Sequence, residues 1–410
     1  MKIFIIAYAC EPGKGSEPGL GWNIAGEIAR RHDVTVLTRA NNRSVIQDYI
    51  ARNNDCPQAK ILFLYYDKGG LFQRIKKLLP FGNQIYFSAW LKAASMKFGD
   101  MWREYDIVHQ LTFSPFFVRP WGALFTQKYV WGPIGGGGGP DARMGRAFLA
   151  HEPIAAATVE YFYRFMNWYV NKSWLGYGFR KCRERSKVVV FKARAFAEGF
   201  VPVAGQRVYI TKETGYSGDF KEREYDCESH PLRILSVGRM IPFKAFGYGI
   251  KAFAEFLNRG GRGELALLGN GPQRKRLEKL VKHLGVEDKV RFLGNVPNSQ
   301  VHNLLDEADL FLHPSFIEAG AWSILEAMIH GVPILCQDRS GMADMVTVEC
   351  GTLVKAATPV ELISRLADGM ETYFLKPSII QIHGRAAQKR VKEEYSWNAI
   401  GEQVKEVYNV

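Results

Sequence analysis

Short apolar segments alternate with stretches of helical periodicity along the whole chain. Segments at residues 3–7, 34–38, 61–65, 107–111, 129–132 and 188–191 read as buried strands, with helical patterns between most of them. A second series follows at 234–237, 265–268, 290–293, 310–313, 334–336 and 351–354. Strand and helix in alternation predict an α/β protein, and two such series predict two parallel sheets. Between them lies TKETGYSGDFKEREYDCESH, residues 211–230, which is polar and poorly patterned. The expected organisation is a first Rossmann-like domain over 1–210, a linker over 211–230, a second Rossmann-like domain over 231–394 and a closing helix over 395–410. At 410 residues and 47% hydrophobic content, the chain can fill two cores of this kind.

Charge divides the chain unevenly. Residues 1–205 hold 28 Lys and Arg against 15 Asp and Glu, so the formal +13 of the whole chain falls entirely in this half. Basic domains commonly bind nucleic acid, yet no helix-turn-helix, RNP-like strand or zinc-finger spacing accompanies the charge. An anionic membrane surface is the favoured partner. In LFQRIKKLL, residues 71–79, Leu71, Phe72, Ile75, Leu78 and Leu79 share one helical face, with Arg74, Lys76 and Lys77 on the other, as in an interfacial helix. A second stretch, 161–185, interleaves Tyr161, Phe162, Tyr163, Phe165, Trp168, Tyr169 and Trp174 with Arg164, Lys172, Arg180, Lys181, Arg183 and Arg185, a mixture suited to lipid headgroups. A helix packed on its own domain explains either segment almost as well. No run of eighteen apolar residues occurs, so no membrane-spanning helix is expected. MKIFIIAYAC has too short an apolar run for a signal peptide and reads as the first strand. Six cysteines without a C-x-x-C suggest neither a disulfide framework nor a zinc site. The expectation is therefore a cytoplasmic protein, peripheral to the inner face of the plasma membrane where its basic face docks.

Candidate chemistry concentrates in the second half. HPSFIEAGAWSILEAMIHG, residues 313–331, carries Glu318 in a small-residue loop after a strand, and Glu326 in a helix read over 322–329 and ended by Gly331. Backbone N–H groups of Gly320 to Ser323, where that helix opens, attract anions, and Ala319, Gly320 and Ala321 are counted in the donor site. A carboxylate can accept two sugar hydroxyls, and the next helical turn brings Glu326 within reach of a ribose. Isolated acidic pairs are more often a solvated Glu and a capping Glu, but a second segment supplies context. In LRILSVGRMIPFK, residues 232–244, an apolar strand runs into Gly238-Arg239, and Lys244 follows at the start of a helix read over 245–257. Two cations at the carboxyl end of a parallel strand suit a diphosphate.

Strand, Gly-Arg, then Lys, with the Glu pair some eighty residues on, resembles the C-terminal half of family 4 of the retaining glycosyltransferases, glycosyl transferases group 1. LALLGNGP (265–272), VRFLGNV (290–296) and YSWNAIGEQVKEVY (395–408) extend the resemblance over roughly residues 230–410. It implies the GT-B architecture, two Rossmann-like domains facing across a cleft, with the last helix crossing back onto the first domain. It also implies roles. Glu318 would orient the sugar hydroxyls, Gly238, Arg239 and Lys244 would hold the diphosphate, Glu326 would take the ribose, and the backbone at Asn295 and Val296 would edge the base. The loop EPGKGSEPGLG, residues 11–21, resembles the donor-facing Gly-rich loop of these enzymes, with Gly15 as the contact and a helix around 22–30 behind it. His109, in the strand DIVHQL, stands where the family has a histidine that reaches the donor sugar, although the frequent H-x-H is here H-Q-L. The run Gly135 to Gly139, framed by Pro133 and Pro140, reads as a shaped loop of open role.

The expected function is transfer of a hexose-type unit from a nucleoside diphosphate sugar to an acceptor hydroxyl, with retention at the anomeric carbon. The acceptor would be a sugar, a glycolipid or a cell-envelope polysaccharide precursor at the membrane surface. No cofactor beyond the donor is expected and no metal, because no Asp-x-Asp occurs; the nearest match, Asp226-Cys227-Glu228, sits in the linker. Arg239, Lys244 and helix N-termini would then neutralise the leaving group. A sugar-nucleotide 2-epimerase of the same fold is the first alternative, but it needs several acid/base groups where only His109 and Glu318 stand. A non-catalytic membrane-surface binding protein is the second, disfavoured because Arg239, Lys244, Glu318 and Glu326 are all present. A dinucleotide-binding dehydrogenase fits poorly, since the first loop is not G-x-G-x-x-G and the second strand ends in Thr38-Arg39 rather than an acid.

Overall fold

The computed structural model describes residues 1–67, 69, 82–138, 144–151, 154–217, 222–225 and 230–409. The basic amphipathic segment, with Leu71, Phe72, Arg74, Ile75, Lys76 and Lys77, lies outside the described residues. The chain divides into two compact units: the first comprises 1–138, 162–215 and 397–410, the second 139–161 and 216–396.

The first unit is built on one parallel sheet of eight strands. They are β1 (Lys2–Ile6), β2 (Asp33–Thr38), β3 (Leu62–Tyr65), β4 (Ile107–Gln110), β5 (Ser114–Pro115), β6 (Tyr129–Gly135), β7 (Val188–Phe191) and β8 (Arg207–Ile210). Their order is β3-β2-β1-β4-β6-β7-β8, with β5 paired to β6. The second unit carries β9 (Leu232–Val237), β10 (Gly263–Leu268), β11 (Val290–Gly294), β12 (Leu310–His313), β13 (Ile334–Gln337) and β14 (Gly351–Val354) in the order β11-β10-β9-β12-β13-β14. In each sheet the first and fourth strands of the series stand side by side. Connections leave these neighbours in opposite directions, which opens a crevice at their carboxyl ends.

Alternation along the strands of the second sheet feeds two apolar layers. Leu232 and Ile234 face one of them, with Phe253, Phe256, Leu362, Leu366 and Met370 from the helices Phe246–Asn258 and Pro359–Leu375. Leu235 faces the other, with Leu305, Ile324, Met328 and Val391 from the helices Asn298–Glu307, Trp322–Ile329 and Ser378–Glu394. Both faces of the sheet are thus covered, which is why its strands read as continuous apolar runs.

Two expectations from the sequence need correction. Residues 139–161 do not belong with the first domain: Met144, Phe148 and Leu149 are buried in the core of the second unit, where the Phe148 ring lies 4.7 Å from Phe316 and 5.8 Å from Tyr248. The first helix begins at Ser16, inside the supposed Gly-rich loop, and runs to Ala29. Gly21 explains part of that loop's composition, because a Cβ there would sit 2.2 Å from the Ala9 carbonyl. The helix Trp397–Tyr408 belongs to the first unit, packed along Ser16–Ala29 and ion-paired from Glu402 to Arg31.

Candidate functional site

The second sheet's crevice is assembled from four strand ends. Beyond β9, the Gly238 N–H donates to the Leu268 carbonyl at 3.0 Å, and the Gly269 N–H donates to the Gly294 carbonyl at 2.7 Å. The backbones approach so closely that a Cβ on Gly269 would lie 2.1 Å from the Gly238 oxygen, and one on Gly271 2.5 Å from the Met240 oxygen. Gly269 also has φ +109, so glycine is required there twice over. Asn295 is exposed and Val296 half-buried just past β11, at the same edge of the sheet.

From β9 the chain passes through the short turn Pro242–Lys244 into the helix Phe246–Asn258. The Phe316 N–H donates to the Phe243 carbonyl at 2.9 Å, tying this turn to the loop after β12. That loop is held from below by the next strand. Gln337, ending β13, donates its amide to the Pro314 and Ser315 carbonyls at 2.6 and 3.0 Å. Ser340 Oγ accepts from the Glu318 N–H at 3.1 Å and donates to the Glu318 carbonyl at 2.5 Å, while the Gly341 N–H donates to the same carbonyl at 2.8 Å. A Cβ on Gly341 would stand 1.7 Å from the Ala319 oxygen.

This frame brings Lys244, Glu318 and His313 together. The Glu318 carboxylate accepts a hydrogen bond from Lys244 Nζ and another from His313 Nε2 at 3.1 Å. Burial pushes the Glu318 carboxyl up, but the hydrogen bond from His313 and the charge of Lys244 outweigh it and bring it down to about 2. His313, the last residue of β12, is held below its usual range by burial, against the pull of Glu318. A neutral imidazole that donates through Nε2 keeps Glu318 ionised and oriented.

Lys244 crosses Gly238, where a Cβ would lie 3.6 Å from its Cδ. Arg239 is exposed and makes no ion pair among the described residues, leaving its guanidinium available to an anion. Glu326, on the helix Trp322–Ile329, is half-buried, its carboxyl makes no hydrogen bond among the described residues, and burial pushes that carboxyl up to about 7. Ala319 and Gly320 are half-buried beside Glu318. The Ala321 N–H is not open to an anion as expected: Ala321 is buried and directs it at Met345 Sδ, 3.3 Å away.

In the first unit the expectations fare differently. His109 is buried in β4, with both ring nitrogens engaged: Nε2 lies 2.8 Å from the Gly132 carbonyl and Nδ1 2.6 Å from the Tyr408 hydroxyl. The carbonyl can only accept, so Nε2 carries the proton and Nδ1 accepts from Tyr408. Burial brings His109 down to about 4. The expected sugar contact is thereby corrected to a structural clasp between the sheet and the helix Trp397–Tyr408. Gly15 is exposed at the N-cap of the first helix in an extended conformation open to any residue, and the left-handed turn falls instead at Gly13, φ +65. Gly136, Gly137 and Gly138 all have positive φ; a Cβ on Gly138 would lie 1.9 Å from the Ala195 oxygen, so the run is a shaped loop, and Gly139 lies outside the described residues.

Four residues of consequence escaped the sequence reading. His313 stood in view only as a strand end, and Ser340 and Gly341 lie 22 and 23 residues beyond Glu318 in an unremarkable stretch. Lys192, buried after β7, bridges Glu17 at 2.5 Å and Glu213; burial lowers its pKa, but the two carboxylates outweigh that and raise it.

The fold is the α/β arrangement of GT-B glycosyltransferases. Sucrose-phosphate synthase from Thermosynechococcus elongatus matches with a TM-score of 0.62, covering 99% of this chain and 98% of that one at 18% identity. HepE from Anabaena, in complex with UDP, matches with a TM-score of 0.59 over 99% of each chain at 15% identity. WaaG, a glycosyltransferase involved in lipopolysaccharide biosynthesis, gives a TM-score of 0.56 over 99% of each chain at 18% identity. Residues 219–378, within the second unit, match the model of the family Glycosyl transferases group 1. The chain is 28% identical to the putative colanic acid biosynthesis glycosyltransferase WcaL of Escherichia coli over 194 residues, 45% of this chain and 47% of that protein. It is 28% identical to alpha-D-kanosaminyltransferase of Streptomyces kanamyceticus over 190 residues, 46% and 48% of the two chains. The chain spans about half the length of the curated relatives it matches.

Proposed function

We propose that this chain is a retaining, metal-independent glycosyltransferase of family 4, which moves a hexose-type unit from a nucleoside diphosphate sugar to an acceptor hydroxyl. The observation that carries the proposal is the cluster in which Glu318 pairs with Lys244 and accepts from His313, with exposed Arg239 two residues past β9, at the crevice of the second sheet. Lys244 and Arg239 supply the positive charge that a departing diphosphate needs. Glu318, ionised far below neutrality, accepts the sugar hydroxyls, and His313 holds its direction. Glu326 takes the ribose hydroxyls. No second carboxylate is paired into the cluster among the described residues, so attack from the face that the diphosphate leaves is favoured over a covalent glycosyl-enzyme.

HepE has been crystallised with UDP and with UDP-glucose, so UDP-sugars head the donors to be tested. Relatives named for colanic acid and lipopolysaccharide biosynthesis favour an envelope polysaccharide precursor as acceptor. A cytoplasmic protein attached peripherally to the membrane fits such an acceptor, and no helix among the described residues is long and apolar enough to cross a membrane.

The test is turnover with a panel of sugar nucleotides and membrane extract, with products read by mass spectrometry and the new anomeric centre by NMR. Free nucleoside diphosphate with an α-linked product from an α-linked donor is the expected result. An isomerised sugar nucleotide would identify an epimerase, and nucleotide binding without turnover a non-catalytic protein. EDTA should leave the rate unchanged; a strict need for Mg²⁺ or Mn²⁺ would contradict metal independence. Arg239→Ala and Lys244→Ala should each cost about 1.5–3 kcal/mol of transition-state stabilisation, roughly a ten- to hundredfold loss of kcat/KM. Rates near the parent's in both variants would remove the phosphate clamp.

A further inference from the structure

The sequence of residues 161–185 left two readings open, an ordinary helix packed on its own domain or a face for lipid headgroups. Packing accounts for only part of it. On the helix Ile154–Asn171, Phe162 and Tyr163 turn inward onto Phe117, with ring centroids 5.8 and 6.0 Å away, and Val170 is buried. Phe165 and Trp168 turn the other way, 55% and 52% exposed, and their rings lie 5.8 Å apart. Beyond the helix, Trp174 is 81% exposed and Tyr177 56%. Scattered exposed apolar residues are normal, but four large exposed aromatics within thirteen positions are a local concentration.

These rings are presented by a fixed scaffold. Arg180 donates to the Ser173 carbonyl at 2.8 Å, Arg183 to Asn171 Oδ1 at 2.8 Å, and the Ser173 N–H to the Trp168 carbonyl at 3.1 Å. Gly176 packs so tightly that a Cβ would sit 2.2 Å from the Tyr169 oxygen. Phe179, on the helix Tyr177–Arg185, is buried against Trp131 of β6 at 5.7 Å, which roots the turn in the first sheet. Trp174 is therefore held out from the surface by structure rather than left on a loose loop. Charge completes the picture. Residues 161–187 contain seven Lys and Arg against a single acid, Glu184, and Lys172, Lys181 and Arg185 are exposed, with the Lys181 ammonium 4.8 Å over the Tyr177 ring.

We propose that Phe165, Trp168, Trp174 and Tyr177 form a docking face for an anionic lipid bilayer. Indole and phenol rings settle at the headgroup level with their apolar bodies inserted, while the surrounding ammonium and guanidinium groups pair with lipid phosphates. Charge complementarity selects the occupant: Lys172, Lys181 and Arg185 are exposed around these rings, a neutral partner surface would not need them, and the excess charge of the chain lies wholly in the half that carries this face. The inference rests on the peripheral attachment proposed above and gives it a site, but it is independent of the transfer chemistry, because it concerns where the first unit rests and not what the second unit binds.

Vesicle co-sedimentation of the full chain tests it, with phosphatidylglycerol-containing and pure phosphatidylcholine vesicles at low and high salt. Binding should require the anionic lipid and weaken as salt rises. The paired substitution Trp168→Ser with Trp174→Ser should reduce partitioning about tenfold while leaving the melting temperature unchanged, because both side chains are exposed. A second variant, Lys172→Glu with Lys181→Glu, should reduce it at least as much without touching an aromatic ring. Equal binding to neutral vesicles, or no loss in either variant, would overturn the proposal. So would failure to bind vesicles accompanied by retention on an anionic polysaccharide, or by self-association that either variant abolishes.

Discussion

Glu318 and Glu326 begin from the same unperturbed acidity and are driven apart, the first down to about 2 and the second up to about 7. The difference lies in partners: Glu318 has a lysine and a histidine to offset burial, whereas Glu326 meets burial alone. This fixes the sign of two pH effects. The unfolded chain ionises Glu326 before the folded one does, so its ionisation removes stability as pH rises from about 4.5 through about 7. Glu326→Gln should therefore raise the melting temperature more at pH 8 than at pH 5. Equal differences at the two pH values, read by differential scanning fluorimetry, would show that burial does not penalise this carboxylate. Glu318 runs the other way, contributing stability above about pH 4.5 that is lost as pH falls toward 2. Lys244→Ala should move that loss to higher pH, measurable as an earlier acid-unfolding midpoint. Both glutamates and Lys244 were legible in the sequence because strand ends and helix starts fix their positions. His313 was not, because which way a strand-end side chain points and what it meets are decided by the fold.

At the scale of the element, the loop bearing Glu318 takes its shape from the turn after β13. Gly341 has an ordinary φ of −68, so its requirement for glycine comes from the neighbouring Ala319 carbonyl and not from its own backbone. Gly341→Ala should push the loop off its seat and lower kcat/KM at least tenfold, while far-ultraviolet circular dichroism stays at the parent level. Ser340→Ala keeps the space but loses the hydroxyl that bridges both polar groups of Glu318, a loss of about 1 kcal/mol in stability. If both variants kept full activity, the loop would be positioned by Gln337 and the Phe243–Phe316 hydrogen bond alone. Periodicity revealed the helix Trp322–Ile329 and the strand Leu310–His313 because their apolar positions are dense and their ends are marked. It missed β8, whose residues alternate half-buried and exposed at the sheet's edge, and β5, which has only two residues.

Over the whole molecule, the sequence marked two sheets and a polar divide, but not how the chain is shared between the units. Met144, Phe148 and Leu149 are three apolar residues in a short stretch, too few to announce a partner core 168 residues beyond Phe148 at Phe316. The closing helix was legible through resemblance, and its clasp on His109 was not. Tyr408→Phe would leave His109 Nδ1 buried without a donor, which should cost about 1–3 kcal/mol and lower the melting temperature of the first unit by several degrees. An unchanged melting profile by calorimetry would mean that the hydroxyl contributes nothing.

The same clasp has a consequence for the protein's birth on the ribosome. His109 and Tyr408 are 299 residues apart, and the helix bearing Tyr408 also sets Val404 and Val407 beside Leu20, Ile24, Leu111 and Val190. All the strands of the first sheet emerge long before that helix does. At synthesis rates of roughly 5–20 residues per second, the apolar trough they form stays open for about 10–40 seconds. A nascent chain of this kind invites chaperone capture during elongation, and chains stalled within the second unit are left with that trough exposed.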